Sequence, residues 1–552
     1  MSANDMKELE DLANEAADII VIGGGITGVG IALDATLRGL RVALFEKQDF
    51  SSGTSSRSSK LIHGGFRYLE HRKFRLVKES LRERAVLRSI APHQVKPLPF
   101  LIPIYKNEKP PALLLRLGLW IYDLLAIGKN IGWHKWFGRK AVLRKIPILS
   151  PDRLKGAGYY FDCQMVDARL NIEVALKAKE LGAKIFNYTE VIGFSHDQSG
   201  IVTGVEVHHL ESGKRHSIMG SVVINACGAW ADDISRLENI NAEKRLGVSK
   251  GVHLIVPRIV MDDLAIAIPT KDRRIVYVLP WGKEYSMLGT TDTFYEGNLE
   301  DIVCTKEDVE YLLKAITRIL PNTNLTLESV ISSFAGVRPL VFTQKEGLAS
   351  PSDVSREDRI VVDKSEMITI VGGKFTTYRK MAERITDLAV RILKQRRVLP
   401  FRTLRCVTSK TPLYGGNIAN WDLFREKESE RIRIELGISP ESAEMLVKTY
   451  GSQLQSLIDL CKSDPSLKAR LSPNGAYIQA QVIYSVGREM CRHVADFLSR
   501  RTFLCFERGL GLDCVETVAS LMGKELHWTN EIATKEVQQY RSYIASNSRF
   551  RL

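Results

Sequence analysis

An unbroken apolar run, Ile19 to Ile22, follows an acidic and polar opening of seventeen residues and closes on three glycines. Such a run predicts a strand buried on both faces of a sheet. Apolar positions from Ile26 onward fall at helical spacing, with small Ala32 on the close face, and Arg41 to Phe45 forms a second short run. Strand, glycine turn, helix and strand in that order predict a βαβ unit with parallel strands. From residue 184 the period becomes two. Lys184 to Asn187, Val191 to Ser195, Val202 to His208 and Ser217 to Asn225 read as strands of a small sheet returning to the first one. Residues 250 to 295 alternate again, with Val252 to Val256, Ile275 to Leu279 and Ser286 to Gly289 as strands roofing a cavity. Met367 to Val371 is a further strand that runs into Gly372 and Gly373, with a helix beginning near Thr376. Beyond residue 398 glycine thins out, and helical periodicity runs through Glu426 to Leu436, Pro440 to Tyr450, Ala476 to Leu498 and Cys514 to Met522. The expected division is an extension over 1–17, a region of interleaved sheet segments over 18–398, and an α-helical C-terminal domain over 399–552.

Gly23, Gly25 and Gly28 stand directly after the first strand at the spacing G-x-G-x-x-G. In a dinucleotide-binding turn the first glycine permits the tight bend, the second lets backbone approach a pyrophosphate, and the third lets helix pack on strand. The helix N-terminus then points its free amides at phosphate oxygens. Glu46, ending the second strand ~20 residues past the glycines, supplies an acceptor for a ribose hydroxyl. This motif alone does not separate NAD from FAD. The stretch 51–70 is crowded with small hydroxyls and glycines, with Arg57, Lys60, His63 and Arg67 among them. That composition makes a poor core and a good loop against a polar cofactor.

Thr54-Ser55-Ser56 and the run from Ser58 to Glu70 recur in a known family, as do Leu279-Pro280-Trp281, Leu288 to Asp292, Gly336 to Leu340 and Gly372 to Lys380. On these residues the chain resembles the FAD-dependent sn-glycerol-3-phosphate dehydrogenases of the aerobic, quinone-linked type. Order and spacing match over residues 15–385, and the helical C-terminal region is similar less sharply. The resemblance implies an α/β fold, with a Rossmann-like FAD-binding domain, a β-sheet substrate (cap) domain and the helical C-terminal domain. Its cofactor would be FAD, held by Gly23, Gly25, Gly28 and Glu46, and by Thr54, Ser55, Ser59, Lys60, Leu61 and His63 of the hydroxyl-rich loop. Val191, Gly228, Gly373 and Thr376 would complete that site.

The implied reaction is oxidation of sn-glycerol 3-phosphate to dihydroxyacetone phosphate, with electrons passed to a membrane quinone. A phosphate ester needs fixed cations, and a guanidinium fork binds two of its oxygens at once. Arg67, Arg338 and Arg356 fill this role by resemblance, with Tyr68 and Lys374 completing the pocket. Arg338 could also stabilise a developing alkoxide, and Lys374 the anionic reduced flavin. Removal of the hydroxyl proton calls for a base; His253 is the candidate, since imidazole titrates near 6.5, and His63 is its rival. An oxygen-using glycerol-3-phosphate oxidase, or a related amine or hydroxy-acid oxidase, is the alternative within the enzyme class. A flavin-containing binding or regulatory protein is the alternative outside it.

At 552 residues and 44% hydrophobic content the chain can build two or three cores. A formal charge of +14 favours an anionic partner, whether phosphorylated substrate or anionic membrane surface. Nothing resembles a nucleic-acid-binding module, so no nucleic acid is expected. The eight cysteines are scattered without a C-x-x-C pair, which fits free thiols in a reducing compartment and no metal site. No segment has the form of an export signal or spanning helix, so the expected location is cytoplasmic, with contact at the inner membrane face. The segment Ala112 to Gly128 places Leu113, Leu117, Trp120, Ile121, Leu124 and Leu125 at helical spacing, with Arg116 and Asp123 sharing another face. It packs either on the core or on lipid headgroups, for which the basic and aromatic Lys129, Trp133, Lys135, Trp136, Arg139 and Lys140 are suited. A homodimer is an open candidate for the assembly.

Overall fold

The computed structural model describes residues 3–108, 110–272, 274–341, 357–396, 398, 405–473 and 475–552. Strand Ala17–Ile22 is buried along its whole length and pairs in parallel with Val42–Phe45 on one side and Arg215–Asn225 on the other. These lie in an eight-stranded sheet that continues outward to Lys184–Phe186 at one edge and to Ile368–Val371 and Arg359–Val362 at the other. Helix Ile26–Leu37 crosses the sheet and meets helix Tyr378–Gln395 at Gly30, where an added Cβ would stand 2.8 Å from the Tyr378 ring. Strands Thr189–His196 and Val202–His209 form a meander with the first half of Arg215–Asn225. That long strand changes partners after Met219, passing from antiparallel pairing with Gly204 to parallel pairing of Gly220 with Ala17. The small sheet therefore returns to the dinucleotide sheet through one continuous strand.

A second, ten-stranded sheet is built around Leu246–Pro257, which pairs antiparallel with Ser332–Val341 from Leu246↔Val341 to Ile255↔Ser332. Ile275–Trp281 and Tyr285–Gly289 join it as the alternation predicts. Lys96–Tyr105 and Leu154–Gln164 join it as well, without a sequence signal. The first of these carries Pro97, Pro99 and Pro103 and the second Gly156 and Gly158, so neither displays the alternation of β-formers that marks a strand.

The C-terminal helices include Trp421–Leu436, Pro440–Tyr450, Leu454–Ser463, Val515–Leu526 and Asn530–Asn547. Ser439 caps the second of these by accepting a hydrogen bond from the Ser442 amide at 3.2 Å. The expected single helix from Ala476 to Leu498 is broken. It runs from Ala480 to Arg488, the chain reverses through Met490 at φ 53°, and a short turn Val494–Asp496 leads into a five-residue π-helical segment, Phe497–Arg501. The break follows a buried charge: Glu489 turns inward to pair with Arg169 at 2.7 Å, an attraction across the fold that local periodicity does not encode.

Helix Ala112–Leu125 also departs from expectation. Leu115, Leu119 and Tyr122 face the core together with Asp123, whose carboxylate accepts from the backbone amide and Nδ1 of His134 at 2.8 and 2.7 Å. Of the stripe that periodicity offered to a core or a membrane, Leu113, Leu117, Trp120 and Leu124 face outward, with Leu113 79% exposed, whereas Ile121 and Leu125 are half-buried and Leu125 packs on the core. Among the described residues no helix is long and apolar enough to cross a membrane.

Candidate active site

A cavity of about 770 Å³ lies between the two sheets. Its floor is the glycine turn. Gly23 holds φ 106°, and an added Cβ there would stand 2.9 Å from the Ala226 carbonyl oxygen; one at Gly28 would reach 1.9 Å from the Gly23 oxygen. No larger residue fits either place, and the helix is thereby drawn close enough for its N-terminus to face the cavity. At that terminus the Ser55 hydroxyl accepts a hydrogen bond from the Ile26 amide at 2.9 Å. The Thr54 hydroxyl donates to the Val337 carbonyl at 2.8 Å and ties the hydroxyl-rich loop to the other sheet.

Glu46 lies at the cavity wall, where its carboxylate oxygens accept from the Gly24 amide at 2.7 Å and the Gln48 amide at 2.8 Å. Burial pushes this carboxyl above its ordinary range, and the two amides oppose the shift. Each oxygen keeps a further lone pair for a ribose hydroxyl. A narrow glycine floor, a helix N-terminus and an anchored acceptor together fit a dinucleotide. Ser59, Leu61, Val191, Gly228, Gly373 and Thr376 also line the cavity.

At the other end stand the cations. Arg338 donates to the Thr290 hydroxyl at 2.8 Å, and to the Thr291 carbonyl and the Asp292 carboxylate at 3.3 Å each. Its guanidinium lies across Gly251, where a Cβ would come within 2.3 Å of it. Lys374 places its ammonium 3.6 Å from the centre of the Tyr68 ring. Tyr68 and Arg67 share the 3₁₀ turn Phe66–Leu69, entered through Gly65 at φ 76°. His63 reaches the cavity just beyond strand Leu61–Ile62, and its amide donates to the Thr376 hydroxyl at 3.3 Å. Next to it the Gly64 amide is fixed by Asp162 at 3.0 Å, a carboxylate that Arg84 and Tyr122 also hold, at 2.6 and 2.7 Å.

The structure places two of the expected site residues away from the cavity. His253 does not line the cavity: it is 2% exposed, lies flat on Phe334 at 4.9 Å, and its Nε2 meets the Ser59 hydroxyl at 2.9 Å. Burial first, then the charges of Arg338 and Lys60, hold its pKa well below the ordinary value, so the imidazole stays neutral behind the wall. Lys60 likewise turns away, pairing with Asp167 at 2.6 Å in full burial, and it does not line the cavity. Arg356 lies outside the described residues. Thr290, Asp292 and Gly251 went without a role in the sequence reading, although Gly289-Thr290-Thr291-Asp292 had marked itself as a distinctive segment. Among the described residues no group of side chains could hold a metal ion.

The same cavity has an apolar branch lined by Phe66, Phe100, Ile102, Tyr160, Ile275 and Tyr277. Phe66 and Phe100 each stack against Tyr160, at 5.4 and 5.2 Å. Phe66 also touches the exposed helix, where a Cβ on Gly118 would lie 3.2 Å from its ring.

Residues 18–363 match the family described as FAD dependent oxidoreductase, and residues 406–533 match the C-terminal domain of alpha-glycerophosphate oxidase. An aerobic glycerol-3-phosphate dehydrogenase of Staphylococcus haemolyticus is 39% identical over 89% of this chain and 88% of its own. That of Staphylococcus aureus is 37% identical over 96% and 95%. The crystal structure of a glycerol-3-phosphate dehydrogenase from Bacillus halodurans complexed with FAD superposes with a TM-score of 0.81 at 31% identity, covering 99% of this chain and 98% of that one.

Proposed function

The chain belongs to the aerobic glycerol-3-phosphate dehydrogenases of the FAD-dependent oxidoreductase family, and from that premise we propose that it oxidises sn-glycerol 3-phosphate to dihydroxyacetone phosphate. The observation that carries the substrate is the gathering of Arg338, Arg67 and Lys374 on one cavity with His63. An amine or a simple hydroxy acid would not call for so many cations, whereas a phosphate dianion does. Bound FAD supplies the two-electron acceptor for the hydrogen on the alcohol carbon.

The protein's part is binding, orientation and proton transfer. Arg338, fixed by Thr290 and Asp292, offers a planar fork to an anionic oxygen without reorganising when charge develops. Arg67 and Lys374 add charge, and Tyr68 holds the lysine by its ring face. His63 takes the hydroxyl proton in its neutral form. His253 instead supports the wall through Ser59. Anaerobic mixing of the purified yellow protein with sn-glycerol 3-phosphate is expected to bleach the visible flavin band within single turnovers. A spectrum unchanged by the substrate would refute the assignment. Stoichiometric peroxide under air would favour the oxidase.

We further propose that the electrons go to a quinone at a membrane surface on the cytoplasmic side. In support, the outward stripe Leu113, Leu117, Trp120 and Leu124 is flanked by exposed Lys129, Lys135, Arg139 and Lys140, and Trp133 is 55% exposed among them. Arg116 stacks over Trp136 at 4.2 Å within the same surface. Apolar side chains with a basic rim suit the boundary between acyl chains and anionic headgroups, and the aromatic branch beneath this helix would admit an apolar ring. Replacing Leu117 and Trp120 together by serine is expected to reduce co-sedimentation with anionic vesicles about tenfold or more, while activity with a soluble dye acceptor is kept. Undiminished vesicle binding by that variant would remove this surface from the proposal.

A further inference from the structure

Among the described residues, those lining the cavity come from positions 22–376, and the helical C-terminal region contributes none. One of its buried connections to the rest of the protein is nevertheless made to the cofactor loop. Asp49 is fully buried between cavity-lining Lys47 and Gln48 on one side and Ser51 to Gly53 on the other. Its carboxylate faces away from the cavity and receives the π-helical segment: Arg500 Nε at 2.6 Å, Arg501 Nη2 at 2.8 Å, and Arg501 Nη1 as well.

Two cations and two carboxylates balance within the cluster, and hydrogen bonds reach most of its polar atoms, although the buried Arg501 Nε is left without a partner. Arg500 donates a second bond to Asp496 at 2.5 Å, and the Tyr188 hydroxyl donates to the same carboxylate at 2.7 Å. Arg501 also donates to the Glu489 carbonyl at 2.8 Å, and Asn187 reaches the Met490 carbonyl at 2.9 Å. Two guanidinium groups thus face two carboxylates in near-complete burial. The loop they hold needs holding, because Ser51 sits at φ 68°, a conformation that side-chain-bearing residues rarely adopt. The other end of the loop leans on the glycine turn, with the Ser51 amide donating to the Gly24 carbonyl at 3.3 Å.

We infer that the C-terminal helical region is a cofactor-retention clamp, in which Arg500 and Arg501 fix Asp49 and thereby hold the 47–53 loop closed on the ribose and pyrophosphate end of FAD. The inference rests on the FAD-binding reading above. Arg500 and Arg501 are positioning residues, since neither touches the cavity. Because coupling is reciprocal, bound FAD must in turn favour docking of the π-helical segment.

The test compares holoenzymes. FAD release after dilution is followed by the rise of free-flavin fluorescence, well below the melting temperature, in the parent, Arg500→Gln, Arg500→Lys and Leu457→Ala. Leu457 is buried in a separate helical cluster with Leu446, Ile458 and Tyr484, so its truncation lowers stability without touching the loop. Arg500→Gln is expected to release FAD about tenfold faster, the loss of one charge-assisted contact. Arg500→Lys should fall between it and the parent, and Leu457→Ala should stay within about twofold of the parent despite a lower melting temperature. Release from Arg500→Gln no faster than from Leu457→Ala would overturn the clamp. A parent that neither carries nor takes up flavin would instead overturn the FAD reading itself.

Discussion

Replacing Arg338 with glutamine is expected to lower kcat/KM for sn-glycerol 3-phosphate by about 10²–10³-fold, the usual consequence of removing a preorganised donor from a site of developing negative charge. The variant should still fold and hold FAD, because the side chain is only partly buried and its partners Thr290 and Asp292 stay hydrogen-bondable by a glutamine amide. Arg338→Lys should recover only part of the loss, since a point charge lacks the planar fork. The split between parameters is informative. A rise in KM alone assigns Arg338 to ground-state phosphate binding, whereas a fall in kcat assigns it to the alkoxide. Single-turnover flavin reduction within twofold of the parent would take Arg338 out of the mechanism.

His63→Asn is expected to slow flavin reduction by about 10²–10⁴-fold, the range for loss of a positioned general base. A base works in its deprotonated form, so the parent rate rises with pH on the acid side, and that limb should vanish in the variant. His253→Asn provides the contrast. It should retain the acid limb, because His253 is sealed from the cavity against Phe334 and Ser59. If the limb disappears in His253→Asn and persists in His63→Asn, the two roles are exchanged. His253 has its own pH signature in stability. Its folded pKa lies below the unfolded value, so below about pH 6.5 the unfolded chain gains a proton that the folded chain refuses. Stability from this group is therefore present at neutral pH and lost on acidification, an effect that thermal melts of the parent and His253→Asn can separate.

The cofactor half of the site was far more legible than the substrate half. Gly23, Gly25 and Gly28, the strand before them and Glu46 after them act within one short stretch, and steric demands at each position leave few residue types that work. The hydroxyl-rich loop was legible for the same reason, as a composition that no core would use. The choice between His63 and His253 was not, since each adjoins or belongs to a strand and neither local sequence says which imidazole reaches the cavity. It turns on Ser59 and Phe334, and the bond between Ser59 and His253 spans 194 residues. Arg338 was found from its segment, but its fixing by Thr290, 48 residues away, required strands Tyr285–Gly289 and Ser332–Val341 both to pair with Leu246–Pro257.

Local chain geometry is what the sequence by itself determined: a glycine turn feeding a helix, alternating strands, capped C-terminal helices, and a surplus of positive charge looking for an anion. These follow from sterics and periodicity acting within a few residues. Only the tertiary structure decided that helix Ala112–Leu125 buries Asp123 and exposes Leu113, Leu117 and Leu124, that the helix after Ala480 stops at Arg488, and that Arg500 and Arg501 close on Asp49 some 450 residues earlier. Each of these outcomes involves a buried charge that meets a partner outside its own element: Asp123 with nearby His134, and Glu489 and Asp49 with arginines more than 300 residues away. A buried carboxylate is tolerable only where a cation or donor meets it, and which one does so depends on how the elements pack.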